Sequence, residues 1–312
     1  MEPLAPGMRR LGKVLRRMPG SSIATATDPQ IERSSGAEVP EPVASVLMGR
    51  SPKGVRVSDR VVGGITVRVY TPGTPGTPGS GRPLVVFFHG GGFVFGDLRG
   101  GDWMCGTVAK RLDAIVVSVR YRLAPRHPFP AAVDDCYAGL VWAAEYAADL
   151  GADPSRVGVM GESAGGNLAA VIALAARDRG GPMIAHQALL YPATGAGDTE
   201  SRRANADGFI LTAADMKRFG ELYGGDEDDW RVSPIRAVSL AGLPPAVVVV
   251  AGHDPLHDDG IRYAEKLREA GVPVDLIDYP AMPHGFLNFP RFARDAEPAI
   301  NAVVEAQRAA LA

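Results

Sequence analysis

The chain has 312 residues, 46% hydrophobic and 22% charged, with a formal net charge of −2. That balance fits one large α/β domain or two smaller ones. It argues against general nucleic-acid binding, which needs a strongly basic face. Two cysteines, Cys105 and Cys136, cannot form a disulfide framework. Neither sits in a Cys/His context, so buried thiols are expected.

Residues 1–50 are broken by Pro, Ser and Gly. Met8–Met18 carries five basic residues around Leu11, Val14 and Leu15, the pattern of a short amphipathic helix with a solvated face. No apolar h-region follows those charges, and no run approaches the ~20 residues of a membrane span. A cytoplasmic protein is expected. Two β-type runs come next, Val55–Val62 and Ile65–Tyr70, with Gly63-Gly64 between them as a hairpin signal. Thr71–Pro83 is a Pro/Gly/Thr-rich loop.

The rhythm then changes. Apolar runs at Leu84–Phe88, Ala114–Val119, Val157–Met160, Gln187–Tyr191, Ala246–Ala251 and Val274–Tyr279 alternate with helical stretches near 101–112, 130–150, 164–178, 255–270 and 291–311. Val/Ile/Leu runs separated by helices predict a mostly parallel sheet of eight strands, with helices on both faces. Residues 193–240 exceed a simple crossover, and a long connection on such a scaffold is usually functional. Their acidic run, Asp226–Asp229, reads as a solvated loop rather than a metal site.

Four strand ends carry chemistry. Gly161-Glu162-Ser163-Ala164-Gly165 lies between an apolar run and a helix. Glycines two before and two after a serine suit a tight turn that exposes the hydroxyl at a helix N-terminus. The bland alternative is a glycine-rich helix cap. Upstream, His89-Gly90-Gly91-Gly92-Phe93 leaves the third strand. Its glycines let backbone N–H groups approach an oxyanion, so Gly91 and Gly92 are expected to act with the N–H of Ala164. Downstream, Asp254 leaves the run Ala246–Ala251, and His284 follows the last strand. The order Ser, Asp, His is that of α/β-hydrolases. Ser163 is the candidate nucleophile, His284 the base and Asp254 its orienting acid. Asp258 and Asp259, a turn further on, are expected to point to solvent. His253 and His257 are expected to be supporting or surface residues. Phe93, Phe209, Leu211, Phe286 and Leu287 are candidate pocket walls, with core packing as the alternative for the last two.

These residues resemble the hormone-sensitive-lipase family of α/β-hydrolases, the bacterial family IV esterases. The resemblance spans about residues 55–312. It rests on His89–Phe93, Tyr121-Arg122-Leu123-Ala124-Pro125 continuing to Phe129-Pro130-Ala131-Ala132, Gly161–Gly165, Asp254-Pro255-Leu256 and His284-Gly285-Phe286. It implies an α/β-hydrolase fold, with residues 51–312 as the catalytic domain. A helical cap would come from residues 1–50 and the insertion at about 193–240. It also implies hydrolysis of short- to medium-chain acyl esters by a small-molecule carboxylesterase without cofactor or metal, and a possible homodimer through Val274–Tyr279. Two positions depart from the family pattern: Glu162 stands where Asp is usual, and Arg126 where Glu is usual. Lactones, amides and thioesters are alternative substrates, since one constellation serves all acyl transfer. A receptor-like relative that binds without hydrolysis is the alternative from another class. His284, lost in the plant gibberellin receptors that resemble this family, is present here.

Overall fold

The structure, a computed structural model, describes residues 2–17, 22–73, 81–195 and 197–312. Most of the Pro/Gly/Thr repeat lies outside them. Three helices come first: α1 (Pro6–Leu15), α2 (Asp28–Ser34) and α3 (Glu41–Leu47). The hairpin β1 (Val55–Val62) and β2 (Ile65–Pro72) turns at Gly63-Gly64, both at positive φ, as a tight hairpin turn requires. Then follow β3 (Arg82–Phe88), α4 (Asp102–Leu112), β4 (Ile115–Arg120), α5 (Ala131–Glu145), α6 (Ala147–Leu150), β5 (Ala152–Glu162), α7 (Ala164–Arg179) and β6 (His186–Leu190). The expected helix at 130–150 is therefore two, divided at Tyr146.

The insertion after β6 holds α8 (Glu200–Ala204) and α9 (Ala213–Tyr223). The chain closes with β7 (Ala246–His253), α10 (His257–Glu269), β8 (Val274–Pro283) and α11 (Ala296–Ala310). The last helix starts later than expected, at Ala296, because residues 290–295 form turns instead.

The strands form one sheet in the order β1-β2-β4-β3-β5-β6-β7-β8. β2 pairs antiparallel with both its neighbours, and β4 through β8 are all parallel. This is the mostly parallel eight-stranded sheet expected from the alternating runs, in the α/β-hydrolase arrangement that the resemblance implies. Two apolar cores cover the two faces. One gathers Val86, Phe88, Val159 and Val248 under α5, α7 and α10; the other gathers Val85, Phe87, Met160 and Val249 under α4 and α11. The split follows the period-2 alternation of each strand.

β7 and β8 run further than their apolar cores suggested. After Ala251↔Tyr279 the register shifts, and pairing resumes at His253↔Pro283. A Cβ on Gly252 would stand 2.4 Å from the Pro280 carbonyl oxygen, so only glycine permits that crossing. The extension carries each strand to the residue before its candidate catalytic group.

The N-terminal segment docks on both ends of this scaffold. Leu4, Met8 and Leu11 are buried in the core that also holds Phe286 and Leu287. The Ala5 N–H donates to the Ala281 carbonyl at 3.0 Å. Further on, Ile23 and Ile31 join Val94 and Ala124, with Phe219 and Leu222 of α9 packed against them. Among the described residues, no helix is long and apolar enough to cross a membrane.

One sequence expectation is overturned. Asp259 is fully buried, not solvent-facing. Its carboxylate accepts hydrogen bonds from the N–H groups of Thr194 and Gly195 and is paired with Arg202 at 2.9 Å. The insertion needs an anchor where it leaves β6, and this carboxylate supplies it. Asp258 likewise turns back to accept from the Ser201 N–H at 2.9 Å. Asp259→Ala should lower unfolding free energy by about 3 kcal/mol, since it strands Arg202 and two amides. Urea melts of the two proteins check this, and an unchanged midpoint would contradict it.

Candidate active site

Each candidate group is the first residue beyond a strand. His89 follows β3, Ser163 follows β5, Asp254 follows β7 and His284 follows β8. In open α/β sheets the carboxyl ends of strands form the ligand-binding edge.

Ser163 has φ 54° and ψ −118°, a strained conformation for a residue with a side chain. Its neighbours explain why the strain persists. A Cβ on Gly161 would lie 2.0 Å from the Gly165 carbonyl oxygen, and one on Gly165 would lie 2.0 Å from that of Phe88. The first turn of α7 thus presses on the ends of β3 and β5, which explains the two glycines around the serine. The Ser163 N–H donates to the Leu190 carbonyl at 2.9 Å, closing the turn onto β6.

The serine hydroxyl is 2.8 Å from Nε2 of His284, and Nδ1 of that ring is 2.6 Å from Oδ2 of Asp254. A carboxylate only accepts, so Nδ1 carries the proton and Nε2 faces the hydroxyl as acceptor. The other carboxylate oxygen of Asp254 accepts from the Leu256 N–H at 2.7 Å. Asp254 is wholly buried and His284 nearly so. Tyr191, beyond the end of β6, sets its ring edge-to-face on His284 with centroids 5.1 Å apart.

Opposite the serine, the loop after β3 passes Gly91 at φ 114°, Gly92 at φ 61° and Phe93 at φ 63°. The carbonyl of Gly91 accepts from the N–H groups of Val94 and Phe95, which closes the loop. A Cβ on Gly92 would lie 2.3 Å from the Phe219 ring, so α9 covers this loop directly. Ala164 opens α7, and the N–H of a first helical residue has no acceptor within its own helix.

The other predicted residues divide. Phe93 stacks on Tyr223 with centroids 3.8 Å apart and remains partly exposed. Phe209 packs against Gly12 and under the guanidinium of Arg16, and Leu211 is buried nearby in the insertion. Phe286 and Leu287 are wholly buried core residues, so the packing alternative holds for them. His253 bonds the Glu2 carbonyl at 2.7 Å, and His257 lies 3.3 Å from both Asp258 and Asp278. Arg126 is exposed and donates to the Glu32 carbonyl at 3.2 Å, a contact to α2. Within the acidic run, Asp229 pairs with Arg231 at 2.6 Å. Among the described residues, no cluster of three His, Cys, Asp or Glu side chains could hold a metal.

Phe219, Tyr191 and Asn288 were not identified from the sequence. Phe219 lies in the long connection at 193–240, where no motif marks it. Tyr191 ended an apolar run, where its position beside other strand ends was the available signal. Asn288 lay close behind His284 but carried no motif.

His89 has a structural part. Its Nδ1–H donates to the Gly90 carbonyl at 2.8 Å, its ring stacks on Tyr121 at 4.2 Å, and the Tyr121 hydroxyl donates to its carbonyl. Burial pushes its imidazole down to about 4. Below about pH 6.5 the unfolded chain binds a proton that the folded chain refuses until about pH 4, so stability falls with acidification across that window. From His89 alone the loss should reach about 3 kcal/mol. Urea melts between pH 7 and pH 4.5 should show this decline, with a shallower slope in His89→Asn. Equal slopes would contradict it.

Residues 85–288 match the family model described as alpha/beta hydrolase fold. The chain is 46% identical over 258 residues to esterase LipI of Mycobacterium tuberculosis, covering 81% of this chain and 80% of that protein. It is 35% identical over 252 residues to ethyl acetate hydrolase of Pseudomonas putida, covering 78% and 77%. Among solved structures, the hyperthermophilic esterase of the archaeon Pyrobaculum calidifontis superposes with a TM-score of 0.85 at 35% identity, covering 99% of both chains.

Proposed function

Because this chain belongs to the hormone-sensitive-lipase family of α/β-hydrolases, and is a carboxylic ester hydrolase of the serine type, we propose that Ser163, His284 and Asp254 carry its chemistry. The observation that carries this reading is the continuous chain of bonds from the Ser163 hydroxyl through His284 to Asp254.

In this mechanism the Ser163 Oγ attacks the ester carbonyl carbon while Nε2 of His284 takes its proton. Asp254 holds the ring in the tautomer that can accept, and stabilises the imidazolium that forms. The oxyanion of the tetrahedral intermediate lies against the N–H of Ala164 on one side and those of Gly91 and Gly92 on the other. One such donor typically contributes about 3 kcal/mol or more of transition-state stabilisation. The intermediate collapses by breaking the bond to the alkoxy oxygen, which takes the proton from His284 and leaves as alcohol. Water then attacks the acyl-serine by the same route and releases the acid.

Residues 1–50 and about 193–240 act together as the cap. Support comes from their shared contacts. Asp215, at the start of α9, accepts from the Ser22 hydroxyl at 2.6 Å and the Ala24 N–H at 3.2 Å. Arg16 donates to the Gly208 carbonyl at 2.7 Å, and Asp28 pairs with Arg218. With Phe219 over Gly92 and Phe93 against Tyr223, aromatic rings crowd the space beside the nucleophile. That crowding suits short or medium acyl groups, in line with the ethyl acetate hydrolase among the relatives.

Ser163→Ala should lose measurable turnover of p-nitrophenyl butyrate while keeping its melting temperature within a few degrees. A phosphonate should label Ser163 in the parent protein and no residue in the variant. Retained turnover would sink the assignment. Across p-nitrophenyl esters from acetate to palmitate, kcat/KM should peak at short or medium chains and fall at least about tenfold toward palmitate. A maximum at palmitate would reject the crowded-pocket reading.

A further inference from the structure

Glu162 ends β5, immediately before Ser163, and is buried. The proposed reaction assigns it no proton and no contact with substrate. Its bonds nevertheless all reach the surroundings of the reaction. Oε1 accepts from the Gly90 N–H at 3.1 Å, at the root of the donor loop. Oε2 accepts from Asn288 Nδ2 at 2.6 Å, in the turn behind His284. The same oxygen accepts from the Tyr191 hydroxyl at 3.0 Å, whose ring borders His284.

A buried carboxylate costs several kcal/mol unless donors surround it. Burial pushes this carboxyl up, while the bonds from Gly90, Asn288 and Tyr191 act in the opposite sense. An apolar side chain would fill the space without that cost but would bind neither loop. The fit is also tight: a Cβ on Gly90 would lie 3.1 Å from the Glu162 carboxyl carbon. Aspartate is one methylene shorter, so on the same backbone its carboxylate is drawn back from these donors.

We propose that Glu162 is a positioning residue whose bridging carboxylate holds the oxyanion-donor loop and the histidine loop at a fixed separation across Ser163. This rests on Ser163 and His284 acting as proposed above. Removing the bridge leaves substrate access unchanged and loosens the geometry of the transition state, so it acts on kcat.

Glu162→Gln keeps the shape but turns one oxygen into an NH2 group. That group then faces either the Gly90 N–H or the donors from Asn288 and Tyr191. Turnover of p-nitrophenyl butyrate is measured per active serine, counted by phosphonate titration, so that unfolded protein does not enter the rate. The expected result is a fall in kcat of about 10- to 100-fold, with KM within about twofold. Glu162→Asp should fall between Gln and the parent, since charge survives and one side of the bridge is kept. If Glu162→Gln does not fold, Asn288→Ala and Tyr191→Phe each remove one donor, and each should lower kcat at least threefold or so without raising KM. Parent-like kcat per titrated serine, or a loss confined to KM, would overturn the proposal. Absence of ester turnover in the parent protein would instead overturn the functional reading beneath it.

Discussion

The site depends on one steric constraint, the contact between the first turn of α7 and the end of β3. The Gly165 backbone lies so near the Phe88 carbonyl that no side-chain atom fits between them. That contact holds Ser163 in its left-handed conformation and points its hydroxyl out of the sheet. It also brings the loop from His89 to Gly92 alongside the N-terminus of α7. The proposed nucleophile and its oxyanion donors are consequences of a single backbone approach. The strain at Ser163, typically 1–3 kcal/mol for such a conformation, is borne by the pairing of β3, β5 and β6.

Charge is buried at several points around that contact, each time with donors in place. Asp254 is satisfied by His284 and the Leu256 amide, Asp259 by Arg202 and two amides. Glu162 is satisfied by groups from three different strand ends. Asp135 is held by the Arg122 backbone and guanidinium, which ties the loop after β4 to α5. These carboxylates sit where loops meet the sheet, so polar bonds set the loops while the apolar cores set the sheet.

The architecture was readable because its signals are local and periodic. Continuous Val/Ile/Leu runs report strands covered on both faces, and Ser163, Asp254 and His284 lie three, three and five residues beyond such runs. What escaped depends on pairing across the chain. The extension of β7 and β8 arises from a register shift at Gly252, invisible in either strand alone. Asp259 looked like a solvated helix residue because its partners, Thr194 and Arg202, lie more than fifty positions upstream. Glu162 stood out only as a departure from a pattern; its partners Gly90, Tyr191 and Asn288 come from three separate loops. The docking of α1 had a signal in the spacing of Leu4, Met8 and Leu11, but the surface receiving it is built by the far end of the sequence.

That last contact bears on how the chain is made. The Ala5 amide extends the hydrogen bonding of β8 at Ala281, and Glu2 meets His253. Domains generally fold from the N-terminus during synthesis, yet the seat of Leu4 and Met8 beside Phe286 and Leu287 is complete only once the last strand has left the ribosome. The apolar stripe of α1 is fully covered only after β8 is made, and the seating of Leu4 and Met8 marks completion of the sheet.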